Sequence, residues 1–396
     1  MNTSDLQFAK RFDGISGSAI REIFKMLAIP GMISFAGGNP SPESLPYAEC
    51  AEFARDLLLE NGKTLLQYGA TEGYGPLRES LVGYIRSQFG VEASEAEILP
   101  TTGSTQGMDL LCKAFIDPGD VILVEDPTFL GNVQSMNLYQ ARLEPIPSEN
   151  DGINVERMEE MIRTLHPKII YLIPTFQNPT GNTISLEKRR RVAELAGKYG
   201  VVIAEDDPYR DLRYRGEALP SIKSFDKSGF VVLLGSFSKV ISPGLRVGFM
   251  CADPVILRKC VIGKQSADIH TALLNQAIVD RYLRRGLLPA HVSEICEKYA
   301  VQMHTMLDCL AECAGIQKYT EPDGGLFIFA ELREGMNAKD LLMRTVERGA
   351  AYVPGTHFYV RGGHENTLRL NFSMSSPEVI RRGMGILNDV FAECAR

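Results

Sequence analysis

Along the middle of the chain the apolar residues fall into two kinds of run, and the alternation between them predicts the architecture. Val121-Ile122-Leu123-Val124, Ile169-Ile170-Tyr171-Leu172-Ile173, Val201-Val202-Ile203-Ala204 and Val231-Val232-Leu233-Leu234 are apolar at consecutive positions. A strand with one wet face alternates in polarity, so unbroken runs of this length predict strands covered on both faces. Between them lie stretches with helical spacing, such as residues 186–199, where Val192, Leu195, Ala196 and Tyr199 recur on one side. Strand and helix by turns over residues 100–252 predict an α/β fold: a mostly parallel central sheet between helices, with right-handed crossovers.

The last third reads differently. Leu326-Phe327-Ile328-Phe329 follows an Asp323-Gly324-Gly325 turn signal, and residues 367–372 alternate apolar with polar, as a half-buried strand does. A helix opened by Ser375 or Ser376, with Pro377 in its first turn, carries the stripe Ile380, Met384, Leu387 and Phe391. This mixture predicts a smaller α+β C-terminal domain, over 286–396. Residues 1–48 are punctuated by glycine and proline, as in Phe35-Ala36-Gly37-Gly38-Asn39-Pro40, and read as an N-terminal arm contributing to that small domain; 49–285 form the large domain.

The 396 residues, 44% hydrophobic and 23% charged, have globular composition and ample length for two or three domains. With 42 Lys and Arg against 49 Asp and Glu the net charge is −7, and the basic residues are scattered or in short runs such as Lys188-Arg189-Arg190-Arg191, so no nucleic-acid partner is expected. No stretch nears the roughly 18 apolar residues of a membrane span, and Met1–Asp5 is polar, unlike a secretion signal. The eight cysteines include no Cys-x-x-Cys pair and the six histidines no His-x-x-x-His pair. They read as reduced thiols of a cytoplasmic protein, with no metal site.

Four polar clusters follow the apolar runs, where open α/β sheets bind ligands. They are Gly103-Ser104-Thr105-Gln106, Asn178-Pro179-Thr180-Gly181, Asp206-Asp207-Pro208-Tyr209, and Ser236-Phe237-Ser238-Lys239 with Arg246 seven residues on. Singly each has a plain reading: a helix start for the Met108, Leu111, Cys112, Phe115 stripe, a turn, a solvated lysine. Chance does not readily deliver all four in this order.

In these motifs the chain resembles the pyridoxal-phosphate-dependent aminotransferases of fold type I, from about residue 15 to the C-terminus. The closer similarity is to the subgroup with the α-aminoadipate and kynurenine aminotransferases. The resemblance implies a large domain that binds pyridoxal 5′-phosphate. It makes Lys239 the Schiff-base lysine, whose amine must be neutral to attack a carbonyl, and afterwards the carrier of the substrate Cα proton. Asp206 matches the acid that keeps the pyridine nitrogen protonated; its neighbour Asp207 is the competitor, and the family spacing Asp-x-x-Tyr, met by Tyr209, favours Asp206. Asn178 and Tyr209 match donors to the ring 3′-oxygen, with Asn178 also at the substrate. Gly103, Ser104 and Thr105 at a helix start, with Ser236, Ser238 and Arg246, match the phosphate ligands. Tyr68, in Gln67-Tyr68-Gly69, matches a tyrosine that reaches the phosphate of the neighbouring subunit, implying a homodimer with shared sites. Phe129 falls where an aromatic stacks on the ring; the subgroup more often has Tyr there.

For substrate the resemblance implies that Arg369 grips the α-carboxylate, in a strand whose Leu368, Leu370 and Phe372 face the other way, and that Gly38 lines the same pocket. Arg21 lies off the helical stripe Ile20, Ile23, Phe24 and Leu27. It is either a solvated residue or, as in similar enzymes, a reader of acidic side chains. The implied activity is amino-group transfer from an L-amino acid to a 2-oxo acid by a ping-pong scheme, with 2-oxoglutarate and glutamate as one pair. The same groups also serve β-lyases, racemases and decarboxylases. Two other readings are weaker. Ser236-Phe237-Ser238-Lys239 fits the Ser-x-x-Lys of penicillin-binding hydrolases, but their Ser-Asp-Asn and Lys-Thr-Gly motifs are missing. Regulators that carry this fold place a DNA-binding segment ahead of it, and a match from about residue 15 leaves none expected.

Overall fold

The computed structural model describes residues 6–13 and 31–394; the helical stripe from Ile20 to Leu27, with Arg21, lies outside them. In chain order come β1 (Ile33–Ser34), α1 (Tyr47–Leu65), α2 (Gly75–Phe89), β2 (Ile98–Thr101), α3 (Ser104–Phe115), β3 (Val121–Asp126), α4 (Leu130–Leu138), β4 (Arg142–Glu149) and β5 (Gly152–Ile153). Next are α5 (Val155–Leu165), β6 (Ile169–Leu172), α6 (Leu186–Tyr199), β7 (Val202–Asp206), β8 (Val231–Ser236), β9 (Gly248–Cys251), α7 (Pro254–Ala267), α8 (Leu273–Arg284) and α9 (Leu288–Ala311). The chain closes with β10 (Ile316–Tyr319), β11 (Phe327–Leu332), α10 (Ala338–Glu347), β12 (Ala350–Ala351), β13 (Val353–Pro354), β14 (Thr367–Asn371) and α11 (Pro377–Cys394).

Eight strands form the main sheet in the order β2-β9-β8-β7-β6-β3-β4-β5. The run β4-β3-β6-β7-β8 is parallel, as expected. Strand β9, in the apolar stretch Val247–Ala252 beyond the four runs above, inserts antiparallel between β8 and β2. Period-two geometry explains the unbroken apolar runs. Ile122, Val124, Ile169, Tyr171, Val202 and Ala204 point into one core, while Val121, Leu123, Ile170, Leu172 and Ile203 point into another beneath the opposite face. Helix α6 covers the second core with Val192, Leu195 and Ala196 and stops at Gly200, whose φ of +65° lets its N–H close on Ala196.

The alternation has a consequence for chemistry. The apolar run ends at Ala204, but the ladder continues two residues, to the pair Asp206 and Leu234. Asp206 therefore belongs to the strand, on the same face as Val202 and Ala204. The carboxyl ends of β3, β6, β7 and β8 all open on one side, where the four polar clusters lie.

The second sheet is antiparallel, in the order β10-β11-β14-β13. Strand β1 pairs in parallel with β12, and the Asn371 N–H donates to the Phe35 carbonyl, so the arm is stitched to the C-terminal segment. One expectation is corrected. β14 was read as half-buried, yet all five of its residues are buried, because Ala36 of the arm, Asn178 and the Phe327 and Phe358 rings pack around Arg369. Helix α11 buries Ile380, Met384, Leu387 and Phe391, as its stripe predicts.

Gly248 marks the tightest approach between β9 and the start of α3. A Cβ there would lie 2.7 Å from the Gly235 carbonyl oxygen, 2.8 Å from the Gly103 carbonyl carbon and 2.9 Å from the Ser104 nitrogen. All three are backbone atoms that cannot swing aside. Gly248→Ala should therefore destabilise the fold by about 1–3 kcal/mol, the usual cost of overpacking, read as a lowered urea midpoint at unchanged m-value; an unchanged midpoint would refute the contact.

Candidate active site

Asp206 ends β7 with 2% of its surface exposed. Strand register sets Tyr171 opposite Ala204, diagonal to Asp206 on the same face, and its hydroxyl donates to Asp206 Oδ2 at 2.9 Å. Asn132 on α4 donates to the same oxygen at 3.0 Å and to the Tyr171 oxygen at 2.8 Å. Burial pushes the carboxyl up to about 6, against the pull of the Tyr171, Ser104 and Asn132 donors. Asp206 Oδ1 is buried and has no partner among the described residues. The neighbouring Asp207 turns the other way. Its Oδ2 accepts from Thr175 Oγ1 at 3.0 Å and from buried Arg210 at 2.8 Å, although its Oδ1 is unpartnered too. Asp207 thus has its cation, whereas Asp206 is held by neutral donors and lacks one. That is the chemistry a protonated ring nitrogen supplies.

Arg369 presents the opposite deficit. It is 2% exposed, and no carboxylate pairs with it among the described residues. Nη1 donates to Asn178 Oδ1 at 2.8 Å and Nη2 to the Ala36 carbonyl at 2.7 Å, while Nε is buried without a partner. The guanidinium lies over the rings of Phe327 (4.2 Å) and Phe358 (5.0 Å). Desolvation pulls its pKa down to about 10. Asn178 also donates to the Tyr209 hydroxyl at 3.2 Å, so a free donor edge of Arg369, Asn178 and Tyr209 forms one chain. A buried fork with no anion is suited to a carboxylate ligand.

A third group gathers where α3 begins. Gly103, at φ +78°, is the N-cap, and no side chain caps the first N–H groups of this 12-residue helix. Arg246 packs against Gly103 so closely that any Cβ there would strike the guanidinium. Arg246 donates to Ser238 Oγ, Pro243 O and Thr102 O, each at 3.3 Å, and Ser236 Oγ lies 3.0 Å from Ser238 Oγ. Uncapped N–H groups, two hydroxyls and a guanidinium make an anion site.

Lys239 is half-buried and donates from Nζ to the Gly38 carbonyl at 2.9 Å. Desolvation, then the Arg246 and Arg369 guanidiniums, lower its pKa to about 8. Its amine is directed at Gly38 rather than Ser236, which disfavours a Ser-x-x-Lys nucleophile. Phe129 precedes α4 half-buried, with its ring against the Gly131 backbone, and the adjacent Thr128 N–H donates to Phe358 O. Tyr68 stands apart, 77% exposed, with its ring edge-on to His270 at 6.2 Å. Arg21 lies outside the described residues. Sequence reasoning missed Tyr171, Asn132, Phe327, Phe358 and the Ala36 carbonyl. Strand periodicity could have found Tyr171; the others meet the site across separations that no local pattern encodes.

The orphaned oxygen of Asp206, the uncapped start of α3 and a lysine of lowered pKa fit pyridoxal phosphate at its ring nitrogen, phosphate and aldehyde. Fold and site thus define a pyridoxal-phosphate enzyme of fold type I. The family model for aminotransferases of class I and II matches residues 30–387, and the chain belongs to that family. An aromatic-amino-acid aminotransferase from Thermococcus litoralis is 40% identical over 393 residues, covering 98% of this chain and 94% of its own. A 2-aminoadipate transaminase from Thermus thermophilus is 41% identical over 382 residues, with 95% and 94% covered. A kynurenine aminotransferase from Pyrococcus horikoshii, solved in complex with PMP, superposes with a TM-score of 0.93 at 37% identity over 98% of each chain. The chain is a pyridoxal-phosphate-dependent aminotransferase, in the subgroup of the aminoadipate and kynurenine enzymes.

Only the neutral amine of Lys239 attacks a carbonyl, and a group with its pKa lowered to about 8 is neutral above that pH. The rate at which cofactor-free protein captures pyridoxal phosphate, followed by absorbance, should rise with pH around a midpoint near 8. A midpoint near 10.5, the value of an ordinary lysine, would refute the shift.

Proposed function

We propose that this aminotransferase takes 2-oxoglutarate and glutamate as one of its substrate pairs, works as a homodimer with shared active sites, and resides in the cytoplasm. The observation that carries the substrate side is the buried Arg369 fork without a counter-ion. A substrate α-carboxylate neutralises it, and the bidentate geometry sets the orientation of Cα. Gly38 lines that pocket from the arm.

Bound pyridoxal phosphate supplies the conjugated ring that takes up the electron pair left at the substrate Cα. The chain does the rest. Lys239 would hold the cofactor through its aldehyde and, once the substrate amine had taken its place, would be free to carry the proton of the substrate Cα. Asp206, supported by Tyr171 and Asn132, stabilises positive charge at the ring nitrogen. Asn178 and Tyr209 would donate to the ring oxygen, and Phe129 would offer its aromatic face to the ring. Gly103, Ser104, Thr105, Ser236, Ser238 and Arg246 bind the phosphate, joined by Tyr68 from the other subunit. The 77% exposure of Tyr68, with Leu66 at 74% and Leu59 at 81%, is consistent with a surface that a second copy covers.

We assign residues 1–48 to the arm of the small domain, 49–285 to the large domain and 286–396 to the small one; the pairing of β1 with β12 supports this division. The cytoplasmic assignment rests on the free state of all eight cysteines. No described helix is long and apolar enough to cross a membrane.

Lys239→Ala should abolish the visible absorption of the lysine-bound cofactor and multiple turnover. Retained turnover would overturn the assignment, and release of ammonia or CO₂ by the native enzyme without a 2-oxo acid would count against transfer. Arg21→Ala should lower kcat/KM for glutamate or aminoadipate by about tenfold or more, as losing a charged hydrogen bond does, while sparing aromatic and branched-chain donors. An equal loss for all donors would show that Arg21 does not read side chains.

A further inference from the structure

Behind the start of α3 sits a charge that the chemistry above does not use. Lys264, in the last turn of α7, has none of its side chain exposed. Its ammonium donates to Gln106 Oε1 at 2.7 Å, to both oxygens of Asp268 at 2.9 Å and to Thr271 Oγ1 at 3.0 Å. Those acceptors lead in two directions. Toward the anion site, Gln106 Oε1 also accepts the Thr102 N–H at 2.8 Å, and Asp268 Oδ2 accepts from Gln106 Nε2 at 2.7 Å and Thr102 Oγ1 at 2.9 Å. The carbonyl of Thr102 is in turn an acceptor for Arg246. Toward the surface, the Thr271 carbonyl accepts from Gln276 Nε2 at 2.7 Å, and Gln276 Oε1 accepts the Tyr74 N–H at 2.9 Å.

Between Asp268 and Thr271 the backbone is strained. Ile269 sits at φ +64°, a region that β-branched residues avoid and adopt only where the surroundings impose it. The next residue, His270, meets the Tyr68 ring. This ion pair joins a buried ammonium to a carboxylate that is 30% exposed, and taking the ammonium out of water offsets much of the attraction. It does specify geometry, since every N–H of the ammonium must find its acceptor.

We propose that Lys264 is a positioning residue. Through Gln106 and Asp268 it presets the Thr102–Ser104 turn for the cofactor phosphate. Through Thr271 and Gln276 it fixes the segment from Tyr68 to Tyr74 that turns toward the other subunit. The phosphate turn of this chain's own site and the segment it lends to its partner's site are thus anchored on one ammonium. This rests on reading that turn as the phosphate site and Tyr68 as a contributor to the partner's site.

The test compares cofactor-free proteins in their affinity for pyridoxal phosphate, for pyridoxal (which lacks the phosphate) and for inorganic phosphate, and measures dimer dissociation by sedimentation. Lys264→Met should weaken pyridoxal phosphate and inorganic phosphate at least tenfold, leave pyridoxal unchanged and loosen the dimer. Two narrower variants keep the proposal testable if that protein folds poorly. Gln106→Leu should lose phosphate affinity with the dimer intact, and Gln276→Leu should loosen the dimer with phosphate affinity intact. Unchanged phosphate affinity in Lys264→Met and Gln106→Leu, or an equal loss for pyridoxal and pyridoxal phosphate, would overturn the proposal. Arg246→Ala with normal phosphate binding would instead locate the failure in the phosphate-site reading and remove the proposal with it.

Discussion

Two uncompensated charges of opposite sign, both buried, govern this site. Among the described residues Asp206 has donors but no salt-bridging cation, and Arg369 has acceptors but no anion. Leaving a buried charge without a counter-ion costs several kcal/mol. Each is tethered: Asp206 by the end of β7 and the Tyr171–Asn132 pair, Arg369 by Asn178 and the Ala36 carbonyl. The fold therefore holds a cation site and an anion site open. On the function proposed above, a protonated ring nitrogen would meet the first and an amino acid's carboxylate the second.

The backbone makes this tethering cheap. Asp206 is the last residue of a strand buried on both faces, so its Cα is fixed by its pairing with Leu234 of β8 and by the β6 ladder that ends one residue earlier, at Glu205. Arg369 lies in the middle of β14, between β11 and β13. Neither group is on a loop, and both face positions where water has little access. Lys239, by contrast, follows β8 on a turn and is only half-buried, which suits a side chain that must exchange its partner during the reaction. Desolvation, then the cations Arg246 and Arg369, lower its pKa to about 8, which favours the neutral amine.

The arm matters out of proportion to its length. Its carbonyls at Ala36 and Gly38 accept hydrogen bonds from Arg369 and Lys239, and β1 ties it to β12. A movement of the arm with the C-terminal sheet would shift both the carboxylate fork and the lysine's partner, linking substrate entry to the state of the amine.

Much of this was legible in the sequence because it is local. Unbroken apolar runs marked four parallel strands, helical spacing marked α6 and α11, and the short motifs with Asn178, Tyr209, Ser238, Lys239 and Arg246 fall at the strand ends. Charge patterning misled. Within Lys188-Arg189-Arg190-Arg191, Arg189 is fully buried, donating to the Pro174, Ile184 and Pro220 carbonyls, and the alternating strand with Arg369 is covered on its polar side as well. Tertiary structure alone decided which of two adjacent aspartates finds a cation, that Tyr171 and Asn132 brace the other, and that Lys264 sits behind the anion site. Periodicity records which face a residue occupies, but it cannot record what a distant segment lays against that face.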